Sequence, residues 1–298
     1  MSVYVPHFLK DSKALIKIGT CLFCIGILYY SVFQTLIYDW TNDPDFSHGF
    51  LIPFISLYLV WQLAEELERL PVAPRNFGIL VIIDELVLLI IGNLAAEYFT
   101  QRVSFLIIVS GIILFLLGRQ HLKLLAFPIV FLIFMIPIPS ILLLKITFPM
   151  QLFAAKVATA ALQLLDVPVL REGNVIHLVE NTLEVERACS GIRSLISLLA
   201  IGTVLAYFIT RVNWQRAVVI LSCFPIAIAT NAFRVTMTGV LANYYGMKMA
   251  EGFFHGFSGM VLYFAGLILV CAVGIFLSKI GNRAQGQRPK AQGSRRRV

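Results

Sequence analysis

Three residue types suited to acyl transfer stand at the edges of long apolar runs: Cys189 in "RACSG", Arg234 in "NAFRVT" and His255 in "FFHGFSG". Cys189 opens a helix, where unpaired N–H groups and the helix dipole favour a thiolate. The following Ser-Gly pair permits close approach of another backbone or a substrate. A buried packing thiol is the competing reading. Arg234 follows Arg216 by 18 residues, about 27 Å along a helix, which carries it nearly across a membrane. Asn231 lies three residues earlier on the same side of that helix, and Ser258 shares a face with His255. Together the thiol would attack a carbonyl, the imidazole would shuttle a proton, and the guanidinium would stabilise the oxyanion. Arg193, four residues beyond Cys189, competes with Arg234 as oxyanion group, or serves as a thiolate partner or a structural cation. His48 in "FSHGF" either joins the site or anchors an interface.

The elements that must hold these residues are membrane helices. Of 298 residues, 59% are hydrophobic and 13% charged, and the mean hydropathy is +0.85, values of an integral membrane protein. Runs of roughly 20 apolar residues predict an all-α polytopic protein with about eight spans, near 14–38, 49–64, 77–96, 102–118, 123–143, 191–210, 216–241 and 254–279. The first is long and lacks a following Ala-x-Ala site, so it reads as a retained helix. The segment at about 145–190 is the one long stretch assigned to the outer face. Its apolar first part, with Pro149, Gln151 and Lys156, reads as interfacial or re-entrant, and "VIHLVENTLEVER" as a hairpin turning at Glu180 and Asn181. One membrane domain, 1–279, is followed by a basic tail, 280–298, expected to be disordered.

Lys and Arg set the orientation. With the N-terminus inside, 16 of them fall in cytoplasmic segments, while the short outer loops hold Arg102 and Lys248. The net charge of +8 thus reads as topology and contact with anionic lipid rather than nucleic-acid binding. Asp84 and Glu85, inside the third span, read as a structural pair with a buried Arg such as Arg193, or as a proton path. Cys21, Cys24, Cys223 and Cys271 lie within spans and read as apolar packing. No metal or nucleotide motif is present, so neither metal nor cofactor is expected.

The run "REGNVIHL…LEVERACSGIRSL", with "NAFRVT", "HGFSG" and the early "SHGFLIP", resembles the exosortases, membrane cysteine transpeptidases of the exosortase/archaeosortase family. The likeness covers about Ser47 to Gly259. It implies a catalytic set of Cys189, Arg234 and His255, preferring Arg234 over Arg193. It also implies substrates with one span and a C-terminal sorting signal of the PEP-CTERM type: a short Pro-containing motif, the span and a basic end. Cleavage would occur outside a bacterial inner membrane, with both termini of the enzyme cytoplasmic. The product would pass to a cell-surface acceptor, lipid or polysaccharide linked. Arg187, two residues before Cys189, stands where relatives often carry an acidic residue. A transporter or proton-coupled channel built on Arg193, Arg234, Asp84 and Glu85 is the alternative, and a membrane scaffold a third.

Overall fold

The computed structural model describes residues 12–179, 181–185, 192–247 and 253–286. The chain divides into two compact units, Met1–Ser140 and Ile141–Val298.

In the first unit, α1 (Ser12–Leu28) and α2 (Tyr30–Asn42) meet at a 70° bend. The elbow residue Tyr29 is fully buried, and its hydroxyl bonds the Ser104 hydroxyl at 2.8 Å. Ser104 also lies 2.9 Å from the Gln101 carbonyl, to which its hydroxyl can donate. The predicted first span is therefore a broken one, its elbow tied to α6 (Tyr98–Leu116). A 3-10 turn, Ser47–Phe50, leads into α3 (Leu51–Gln62), and α4 (Ala64–Arg69) ends that run. α5 (Phe77–Leu94) and α6 pack as an antiparallel hairpin. Glu97 caps α6 by accepting from the Phe99 and Thr100 amides at 3.2 and 2.5 Å. Burial opposes ionisation of Glu97, but the Thr100 and Phe99 hydrogen bonds outweigh it and lower its pKa.

α7 (Arg119–Phe131) continues as a 3-10 turn, Leu132–Met135, and stops. Pro137 and Pro139 explain the stop, since neither has an N–H and each disfavours helix in the residue before it. The fifth predicted span, 123–143, is thus cut at Met135. Even so, α3 and α7 with their 3-10 turns rise about 26 and 27 Å, close to the thickness of a hydrocarbon core. Contacts tie the unit together at both ends. At one end Trp40 donates to the Met135 carbonyl at 2.8 Å and Arg102 bonds Asp39 at 2.6 Å. The opposite end is closed by a bridge between Ala73 and Gly118.

Gly118 has φ +96°, and a Cβ there would run into the Ala73 carbonyl. Gly118→Ala is expected to cost about 3 kcal/mol from strain and lost fit. Thermal unfolding in detergent should fall by roughly 6–12 °C, and an unchanged midpoint would contradict the role of this bridge.

The second unit opens with α8 (Ser140–Leu164), followed by three short strands and α9 (Ile192–Ile209), α10 (Asn213–Tyr245) and α11 (Phe253–Gly286). α8, expected as an interfacial or re-entrant helix, is one unbroken helix of 25 residues whose length and composition would also let it cross a membrane. Periodicity permits this: the polar Thr147, Gln151 and Thr159 lie on the buried stripe, leaving Ile141, Leu144, Phe148 and Phe153 outward. The strands β1 (Val169–Glu172), β2 (Val175–Leu178) and β3 (Thr182–Glu184) form an antiparallel sheet in that order. The β2–β3 hairpin turns where expected, with His177 opposite Thr182. β1 was not anticipated; it pairs with β2 through a turn at Gly173 and Asn174. Ala154, Ala155, Ala158 and Leu162 of α8 and Val235 and Ala242 of α10 enclose Ile176, Leu183 and Val185 of the sheet segment. Small residues on α8 allow this close approach.

Among the described residues six helices are long and apolar enough to span, or seven if α1 and α2 count as one, so the count of eight is not reached by length and composition. The outward faces of the helices carry large apolar side chains such as Phe54, Leu80, Ile90, Phe153, Leu221 and Ile268, as lipid contact requires. The protein is a polytopic helical membrane protein.

Candidate functional site

Arg234 organises the second unit's polar chemistry. It lies on α10 about 31 Å from that helix's first residue, half-buried, and donates from Nη2 to the Asn231 Oδ1 at 3.1 Å. Asn231 is itself buried, so its side chain fixes one arm of the guanidinium. Two small pockets meet at Arg234. One lies between sheet and helix, lined by Leu183, Glu184, Val185, Arg234, Val235 and Thr238. The other joins three helices through Ser194 of α9, Thr230, Asn231 and Arg234 of α10, and Gly259 and Tyr263 of α11. Gly259 leaves room for the guanidinium: a Cβ at that position would come within 3.3 Å of Nη1.

Cys189 lies in the segment 186–191, outside the described residues. The ends of that segment are described. Val185 lines the first pocket, and α9 begins at Ile192 with Ser194 in the second. His255 belongs to the first turn of α11, four positions before Gly259, and its side chain is outside the described set. Ser258 is half-buried beside Gly259. Arg193 is exposed in the first turn of α9 and lines neither pocket. Arg234 and Asn231 are therefore brought together as the spacing predicted. Ser194, Thr230 and Tyr263 were not anticipated. The i, i+4 step from Gly259 to Tyr263 is the signal that could have found the last of them.

In the first unit, His48 sits in the 3-10 turn before α3, with both ring nitrogens shut off from solvent and no well-formed hydrogen bond.

Within the first unit, among the described residues, neither Asp84 nor Glu85 belongs to an ion pair. Adjacent positions on a helix point about 100° apart, and here Asp84 is exposed while Glu85 is 1% exposed beside the Ser104 hydroxyl. The buried cation of this unit is Arg102, placed by sequence in a loop and found 4% exposed against Asp39. Among the described residues no three His, Cys, Asp or Glu side chains gather as a metal site would require. Cys21, Cys24, Cys223 and Cys271 are free thiols, and Cys223 is buried against the Leu198 carbonyl at 3.6 Å.

A multi-pass helical membrane protein with a cation-centred site beside a small sheet is the class these features define. The family model described as "Transmembrane exosortase (Exosortase_EpsH)" matches residues 40–272, and the chain belongs to that family, a family of membrane transpeptidases. No curated protein and no solved structure gives a match.

Proposed function

We propose that this exosortase is a cysteine transpeptidase that cleaves C-terminal sorting signals of the PEP-CTERM type on the outer side of the bacterial inner membrane. The Cys189 thiolate attacks the scissile carbonyl carbon, and the oxygen, now negative, is stabilised by Arg234. The tetrahedral intermediate expels the amine, which takes its proton from His255, and a thioester between substrate and Cys189 remains. An incoming acceptor nucleophile, lipid or polysaccharide linked, loses its proton to His255 and displaces the thiol. Asn231 holds the guanidinium in place, and Ser258 and His48 are candidates for support.

The observation that carries this reading is the placement of Arg234 between the two described ends of the Cys189 segment. Cys189 is three residues from Ile192 and four from Val185, at most about 10 and 14 Å of chain. Gly259 against Arg234 puts α11, one turn after His255, at the same point. The distribution of Lys and Arg favours cytoplasmic termini with Arg234 and the sheet on the outer side, an orientation in which α8 lies along or dips into the outer face rather than crossing. A substrate with one span and a basic inner end would then present its motif at the level of Arg234.

A tagged single-span protein carrying such a signal, co-expressed with the enzyme, should be shortened, with the released part exposed outside spheroplasts. Persistence of the full-length form would sink the proposal. Gly259→Ala is a finer check. Its methyl group pushes the guanidinium by a few tenths of an ångström, so turnover should fall up to about tenfold with enzyme abundance unchanged; full turnover would show that the fit at Nη1 is unimportant.

A further inference from the structure

β3 is an edge strand. The Val185 amide bonds the Asn174 carbonyl at 3.0 Å and the Leu178 amide bonds the Asn181 carbonyl at 2.7 Å. In an antiparallel ladder the backbone groups alternate sides, so Asn181, Leu183 and Val185 face β2 while Thr182 and Glu184 turn theirs away from the sheet. Among the described residues no backbone group pairs with that outer edge. Both side chains there are exposed. Edges of this kind are usually blunted by proline, covering segments or charge; among the described residues Glu184 supplies the charge and none covers the edge. The edge runs straight to the candidate site, because Glu184 and Val185 line the same pocket as Arg234.

We infer that the outer edge of β3 binds the substrate as an added strand. The occupant is the extended segment on the amino-terminal side of the cleaved bond, lying parallel to β3. It would satisfy the outward N–H and C=O groups of Thr182 and Glu184, and its carboxyl end would advance about 3.3 Å per residue toward Arg234. Main-chain pairing supplies affinity that is indifferent to sequence, and the alternate side chains facing the protein supply selection. This inference rests on the transpeptidase reading for the identity of the peptide, but the pairing is testable without cleavage.

The test uses full-length enzyme in membranes and a tagged single-span protein with a Pro-containing outer motif. Glu184→Pro removes one outward donor while leaving the bonds to β2, a substitution edge strands tolerate. It should raise KM for processing at least about tenfold with kcat within about twofold; an unchanged KM would overturn the inference. A second arm keeps the backbone intact. Glu184→Cys in a Cys189→Ala background is oxidised against substrates carrying one cysteine at successive positions before the cleaved bond. Strand pairing predicts a strong disulfide at one position, a weaker one two residues away and none at the immediate neighbours. Even cross-linking along consecutive positions, or none at all, would overturn the inference although wild type still cuts. Alternating cross-links in a protein that never cuts would uphold the edge and sink the transpeptidase reading instead.

Discussion

Cys189→Ala is expected to leave a tagged single-span substrate uncut, its processing lowered roughly 10⁴-fold or more. The size of the effect follows from the chemistry. Without the thiol no thioester forms, and water in a site built for acyl transfer has neither the concentration nor the position to replace it. Cys189→Ser keeps a nucleophilic atom of similar shape but not its acidity, and should fail nearly as completely, because a hydroxyl is far less ionised than a thiol. Both proteins should reach the membrane in normal amounts. A transporter or a scaffold would be little affected by either change, so the pair separates the enzyme reading from its rivals.

Arg234→Ala should lower processing by about 10²–10³-fold, the cost of losing one oxyanion-stabilising group in a water-poor site. The fall should appear in kcat rather than in KM, because the charge that Arg234 meets develops only in the transition state. Arg234→Lys keeps the charge but loses the planar fork that Asn231 holds at 3.1 Å, so it should recover only part of the activity. Arg193→Ala is the companion measurement. Exposed and lining neither pocket, Arg193 should change turnover by no more than a few fold. Equal losses at the two arginines, measured at matched protein levels, would contradict the assignment of the oxyanion role to Arg234.

The parts of this protein that could be read from sequence are those fixed by local periodicity. Apolar runs located the membrane helices, and the i, i+3 spacing of Asn231 and Arg234 placed both on one side of α10, where they hydrogen-bond. Alternating β-prone residues located the β2–β3 hairpin. The misses involve partners distant in sequence or local rules given too little weight. Nothing near Tyr29 signals a 70° bend, because no proline breaks the run and the residue that its hydroxyl pairs with, Ser104, is 75 positions away. Arg102 and Asp39 are 63 apart, so the buried pair they form was invisible and Arg102 was left in a loop. The early stop of α7 was legible at Pro137 and Pro139, yet hydropathy alone carried the predicted span past them. β1 was missed because "VLREGN" contains charges that its outward positions accommodate at the sheet edge. The opposed fates of Asp84 and Glu85 were also accessible, since neighbouring positions on a helix cannot share one face.

The candidate site divides in the same way. Arg234 and Asn231 follow from helix geometry, and Cys189 and His255 from residue type and the family resemblance. Tertiary packing alone reveals that the strand before Cys189 and the helix after it both border Arg234. That arrangement brings the described ends of the Cys189 segment and the Gly259 turn of α11 to one guanidinium, as the proposed mechanism requires.

The most direct test of the account is to map the covalent intermediate. Enzyme carrying His255→Ala should form the thioester slowly and resolve it more slowly still; it is incubated with the tagged substrate, quenched in acid and digested for mass spectrometry. The account predicts the amino-terminal part of the substrate attached to Cys189 and released by hydroxylamine. An adduct on another residue, or cleavage by the wild type with no adduct at Cys189 under any trapping condition, would contradict it.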